Sequence, residues 1–237
     1  MARLLSLGET LMGYRLSEGL SYCRIDGHAI FLDIQNDRYF RLSDGMEATF
    51  TAFIDGSGNS EAELAALTKN KVFTTAPRIE RNDAGSSIVP PTRSASELSG
   101  PFGSLSLLAL LEVSTLVLAT RRALKTQRLV DVMENFVRYR QKQARKAPSQ
   151  PTTLSTLLVC DAANSFNRAR LYVPVATSCL LDSLSMAKFL ARRQIDTSIV
   201  FGVTRDPFAA HCWVQAGDMV LNDTVGNVTA HTPIRIV

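Results

Sequence analysis

The feature that most limits how this chain can fold is the stretch from Asn82 to Ser104, NDAGSSIVPPTRSASELSGPFGS. It is rich in Ser, Gly and Pro and carries an adjacent Pro90–Pro91 pair, so neither a helix nor a strand is expected in it. Read as a linker over residues 83–104, it cuts the 237 residues into an upstream part, 1–82, and a downstream part, 105–237. Each part must then close a core of its own. The composition permits this, because 46% of the residues are hydrophobic and 20% charged, which excludes a wholly disordered chain. Thirteen glycines and nine prolines are too few for a collagen-like or low-complexity chain, and no internal repeat is visible.

In the upstream part, β character recurs at Tyr22–Arg24, Ala29–Ile34 and Arg38–Leu42, with turn signals at Asp26–Gly27 and Asn36–Asp37. Ser43 is placed to cap a helix over Asp44–Ile54, with Glu47 in the first turn, where the helix dipole favours an anion. Ser60, with Glu63 three residues on, forms a capping box for a second helix whose Leu64 and Leu67 face inward. The expected result is a three-stranded meander followed by helices. Its only histidine is His28, beside a turn and expected to face solvent, and its only cysteine is Cys23. With no reactive set, this part reads as a binding module whose open strand edge can take a peptide as a further strand.

The downstream part opens with helical patterns at 105–124, 129–146 and about 152–165. The apolar run from Leu105 to Ala119 is interrupted by Glu112 and falls short of the roughly 20 residues that a membrane span needs, so a buried helix and no membrane span are expected. The opening MARLLSLGETLMGYRLSEG is broken by charges and glycines, unlike a signal peptide, and a cytoplasmic protein is expected. Net charge is +4, and Arg121–Lys146 alone holds nine basic residues against two acidic ones. No aromatic interleaving or nucleic-acid motif accompanies them, so a solvated helix face is expected and no nucleic-acid partner. A helix from Cys179 to Arg193 follows, then strands at Thr197–Val203, Ala210–Val214 and Met219–Asp223, with turns at Arg205–Phe208 and Ala216–Asp218. That order is α+β.

The four cysteines are scattered and form no CxxC pair, which argues against a disulfide scaffold and a structural zinc site. Three residues carry chemical content: Cys179, His211 and Asp223. Ser178 is a plausible N-cap, which puts Cys179 in the first helical turn. There the orphan N–H groups and the positive dipole end favour thiolate and can receive an oxyanion. His211, on a later strand, can pair with the thiol and protonate a leaving amine, and an acid behind it would fix its tautomer. A three-residue loop Ala216–Gly217–Asp218 would set Asp223 opposite His211 on the same face. A two-residue loop would set it opposite Cys212, on the wrong face. The register decides, and Asp218 at the hairpin tip suits a turn role. Cys212 neighbours His211 on a strand and should point the other way, so it is expected to be inert, like Cys160 in STLLVC. A core cysteine with a satisfied core histidine, or more rarely a metal site, remains open on the residues alone.

The segment Cys179–Asp223 resembles the leader peptidase of lasso-peptide biosynthesis, the lasso peptide B protein, a transglutaminase-like, papain-related cysteine protease family. The pieces that carry the resemblance are Cys179–Leu180, Gly202–Val203, Pro207–Phe208, Ala210–His211, Trp213–Val214 and Leu221–Asn222–Asp223. Asp182 departs from the family, which often shows a basic or amide residue there, and its charge would oppose a thiolate. Upstream, Phe31–Phe50 (FLDIQNDRYFRLSDGMEATF) is similar to the winged-helix-like recognition element that holds precursor leaders in such systems.

The resemblance implies a papain- or transglutaminase-like domain over 105–237, with Cys179 as nucleophile, His211 as general base and acid, and Asp223 as orienter. It also implies a leader-recognition domain over 1–82. The function it implies is removal of the leader from a lasso-peptide precursor through a Cys179 thioester that water resolves. The expected partners are the precursor peptide and an asparagine-synthetase-like cyclase. ATP belongs to that partner's chemistry, since this chain has no GxxxxGK[ST] loop and no cofactor is expected on it. Two other readings share the sequence: a non-catalytic chaperone that presents precursor to the cyclase, and acyl transfer from the thioester to an amine.

Overall fold

The computed structural model describes residues 13–58, 60–75, 88–97, 106–145 and 156–237. The reading of the first twelve residues, and the linker positions 83–87 and 98–104, lie outside the described residues. The chain divides into two compact units, Met1–Ile88 and Val89–Val237.

The first unit contains β1 (Tyr14–Leu16), β2 (Leu20–Ile25), β3 (His28–Asp33), β4 (Arg38–Phe40), α1 (Asp44–Ile54), α2 (Glu61–Lys69) and β5 (Phe73–Thr75). β2, β3 and β4 form the expected antiparallel meander in that order, which leaves β2 and β4 as its edges. β1 and β5 pair separately, a second small sheet that three-residue strands give too little pattern to foresee. The core is aromatic. Phe50 of α1 meets Phe31 edge-on at 4.9 Å and lies stacked on Phe73 at 5.7 Å, while Phe31 stacks on Phe40 at 5.2 Å. Such offset and edge-on pairs add to the area buried by each ring. The Ser60–Glu63 capping box forms as expected, whereas Ser43 caps α1 only by its position, its side chain making no cap bond.

The second unit contains β6 (Arg93–Ser94), α3 (Leu107–Thr126), α4 (Leu129–Ala144), α5 (Thr156–Arg170), α6 (Cys179–Arg192), β7 (Ser198–Arg205), β8 (Phe208–Ala216), β9 (Met219–Val220), α7 (Val225–Thr229) and β10 (Thr232–Ile236). Nine of the fourteen residues of α6 are buried, so it is enclosed on nearly every side. It packs against α3, α4 and α5 and against β7 and β8. The sheet order is β10-β7-β8-β9-β6, antiparallel except for the β6–β9 pair. The α+β class is as expected. No described helix is long and apolar enough to cross a membrane.

One expectation is corrected here. Residues 88–97 are not a featureless linker. Arg93–Ser94 is a strand beside β9, with Ala95 N–H on the Val220 carbonyl at 2.8 Å and Ala95 fully buried. Pro and Ser exclude a central strand but not a short edge strand, where the unpaired side needs no donor. The hairpin register, which the sequence leaves open, is settled by the pairing of Gln215 with Val220 and Ala216 with Met219, so the loop has two residues. Gly217 makes this possible by taking a φ of +58°, the left-handed backbone such loops need.

Candidate active site

Cys179 is the first residue of α6, so helix geometry leaves its N–H and those of Leu180 and Leu181 without an acceptor inside the helix. Ser178 occupies the N-cap position, but its side chain makes no cap bond. Asp182 takes over, its Oδ2 accepting the Ser178 N–H at 3.3 Å while its Oδ1 accepts from Arg170 Nε at 2.6 Å. Arg170 is buried and also donates to the carbonyls of Val173, Val175 and Ala176. The guanidinium thus neutralises Asp182 and clamps the chain that leads into the thiol. The charge that Asp182 would set against a thiolate is already paired.

His211 lies on β8, directly across from Gly202 on β7. Its Nε2 is 2.5 Å from Asp223 Oδ2, which leaves Nδ1 for the hydrogen bond to the Cys179 side chain. Trp213, two residues on and on the same face, lies near-parallel to the imidazole with ring centroids 6.2 Å apart. Gly202 permits this, because a Cβ there would stand 2.7 Å from the indole. His231 lies close as well, 5.3 Å between ring centroids, its Nδ1 bonded to the Asn227 carbonyl at 2.8 Å.

Asp223 reaches His211 by a route other than the ladder. With a two-residue loop, continued pairing would carry Asp223 opposite Cys212, but β9 stops at Val220. Asn222 ends the ladder by substituting for it. Its Oδ1 accepts the Val214 N–H at 2.8 Å, and its Nδ2 donates to Ser183 Oγ at 2.9 Å. The chain then turns, and Asp223 Oδ1 accepts the Thr224 N–H at 2.7 Å while Oδ2 also accepts from Asn227 Nδ2 at 2.9 Å. Asp218, the rejected acid, is engaged at the turn by Arg93 and Thr92.

Cys212 corrects a second expectation. It is buried and faces α6, its thiol donating to the Cys179 carbonyl at 3.6 Å beside the Cys179 sulfur. Opposite faces of a strand kept it away from His211 but not from the helix start packed against that strand. The two thiols are driven apart. Hydrogen bonds from Cys212 and then His211 outweigh desolvation and lower Cys179 to about 4. Cys212 is pushed well above the usual thiol range by the Cys179 sulfur and by burial, so it remains a donor. His211 is raised by its bond to Cys179 and by Asp223, against desolvation. The arrangement favours a thiolate–imidazolium pair, with helix N–H groups beside the sulfur for a developing oxyanion. Among the described residues no group of three or more His, Cys, Asp or Glu has the geometry to hold a metal ion.

The sequence profile of the transglutaminase-like superfamily matches residues 115–236, just over half of the chain and all of this site. The chain belongs to that superfamily. Among curated proteins, this transglutaminase-like chain is similar to the microcin J25-processing protein McjB of Escherichia coli, at 40% identity over 47 residues. That match spans 20% of this chain and 23% of McjB, so it covers about a quarter of the relative's length. No solved structure matches the chain. The resemblance to lasso peptide B-type proteins is supported by both findings. Beyond Cys179, His211 and Asp223, the site draws on Arg170, Asn227 and His231, which sequence reasoning did not single out, on Cys212, which it set aside as inert, and on Asn222. Of these only Asn222 carried a signal, as part of the Leu221–Asn222–Asp223 motif.

Proposed function

We propose that the protein is a cysteine peptidase that removes the leader from a lasso-peptide precursor. The observation that carries this reading is the thiol at a helix start, flanked by an imidazole whose other nitrogen is held by a carboxylate. The Cys179 thiolate attacks the carbonyl at the leader–core junction, and the oxyanion is received by the N–H groups at the start of α6. The imidazolium of His211 protonates the leaving amine of the core, and the leader remains as a thioester. His211, now neutral, takes a proton from water, whose oxygen displaces the sulfur and releases a free carboxylate. Asp223 keeps the imidazole in one orientation and stabilises its charged form. The freed core amine passes to an asparagine-synthetase-like, ATP-dependent cyclase, in the cytoplasm. The first unit holds the leader, and the open edges of its β2-β3-β4 sheet suit strand addition.

The purified protein, its cognate precursor and the cyclase are incubated with and without Cys179→Ala, and products are read by mass. Cleavage that disappears in the variant while leader binding persists supports the peptidase. Equal processing by both would leave a precursor-presenting partner. A leader ending in an amine adduct instead of a carboxylate would assign acyl transfer.

A further inference from the structure

Residues 89–97 open the second unit and are bound along its sheet edge at many points. Gln215 Nε2 donates to the Val89 carbonyl at 2.6 Å, Arg93 and Thr92 engage the Asp218 carboxylate, and Asn164 Nδ2 donates to the Ala95 carbonyl at 3.3 Å. Within this strap, two hydroxyls converge on one atom. Ser94 Oγ donates to the Asp223 backbone carbonyl at 2.5 Å, and Ser96 Oγ lies 3.0 Å from the same oxygen. Each hydroxyl has one hydrogen. That of Ser94 goes to the carbonyl, while that of Ser96 is shared between the carbonyl and Ser94 Oγ, 2.7 Å away. Ser94 Oγ also accepts the Ser96 N–H at 3.1 Å, which fixes its own direction.

The position of these bonds is informative. The β8–β9 ladder ends at Val220, so no strand pairing holds the main chain at Asp223. The carboxylate is held by Thr224 and Asn227, and the carbonyl of the same residue by two serines more than 120 residues upstream. Displacing that carbonyl swings the carboxylate relative to His211.

We propose that Ser94 and Ser96 are positioning residues for the His211–Asp223 pair, holding the acid where the sheet no longer does. This rests on the reading of Cys179 as the nucleophile. The strap is then part of the active site's support, although it comes from the stretch that joins the two units.

The test uses the full-length protein with Ser94→Ala, Ser96→Ala and Ser96→Thr, alone and combined with Asp223→Asn. Iodoacetamide alkylation of Cys179, followed by peptide mass across pH, is read beside leader cleavage. Losing one such hydrogen bond is expected to slow cleavage roughly three- to tenfold. The acid limb of Cys179 alkylation should move toward higher pH, in the direction that Asp223→Asn moves it. Ser96→Thr, at an exposed position that keeps a hydroxyl, should restore the wild-type profile. In the Asp223→Asn background the serine changes should add nothing. An alkylation profile unmoved by the serine variants, with only a lowered melting temperature, overturns the proposal and leaves the strap a structural fastening. Full additivity with Asp223→Asn overturns it as well. A wild-type Cys179 that alkylates only above the ordinary thiol range fails at the nucleophile, and is distinguished by the unaltered limb in Asp223→Asn.

Discussion

Each unit holds a histidine bonded to a carboxylate, yet only one of the two pairs has a thiol at a helix start beside it. In the first unit, His28 Nδ1 lies 3.1 Å from Glu47 Oε2, while Glu47 Oε1 accepts the Ala29 N–H at 2.5 Å. That carboxylate is raised by burial but lowered further by these bonds, and it clips α1 to the first residues of β3. The thiol of this unit, Cys23, is buried, and desolvation pushes it up to about 12. In the second unit the histidine has a sulfur on its far nitrogen, and that thiol falls to about 4. A His–carboxylate pair is a fastening until a nucleophile stands at a helix start beside it.

The largest effect expected from breaking this contrast is on His211. His211→Ala should slow leader cleavage by about 10²–10⁴-fold, the usual contribution of a general acid–base group. His28→Ala should leave the chemical step unchanged. The pH dependence sharpens the same point. A lowered Cys179 keeps the thiolate as pH falls, and a raised His211 keeps the imidazolium as pH rises past its ordinary value of about 6.5. Alkylation of Cys179 should therefore be lost only as pH falls through about 4, and Cys23 should stay unreactive throughout.

Next comes the clamp beside Cys179. Asp182→Ala leaves a buried guanidinium unpaired and should cost about 3–5 kcal/mol in denaturant unfolding. Asp55→Ala removes the partner of exposed Arg24 in the first unit and should cost at most about 1 kcal/mol. Gly202→Ala would force the Trp213 ring aside, at about 1–3 kcal/mol with slower cleavage, since that ring lies along His211. A melting curve beside the cleavage assay separates the two losses. The smallest change is Ser60→Ala, which removes the capping box of α2 and should cost about 1 kcal/mol without touching cleavage.

Much of this was legible because it is local. The meander rests on alternating residues and Asp26–Gly27, the second helix on Ser60 and Glu63, and the position of Cys179 on a helix that begins there. Asp223 meets His211, but not through either of the hairpin registers that the sequence left open. The loop has two residues, and the acid arrives because β9 ends early and Asn222 takes over its last bond. Alternation along a strand cannot report where a strand stops.

By itself the sequence determined the three-stranded meander, the longer helices and the hairpin that carries His211, that the chain is α+β in two parts, and which thiol begins a helix, since capping, periodicity and turn chemistry act over a few residues. Tertiary structure alone decided that Cys212 reaches Cys179 from the neighbouring strand, that Arg170 disarms Asp182, and that Ser94 and Ser96 hold Asp223. Those contacts join residues from 12 to 129 positions apart. Hydrogen bonds of that span form only once packing has brought the partners together, so no local signal announces them.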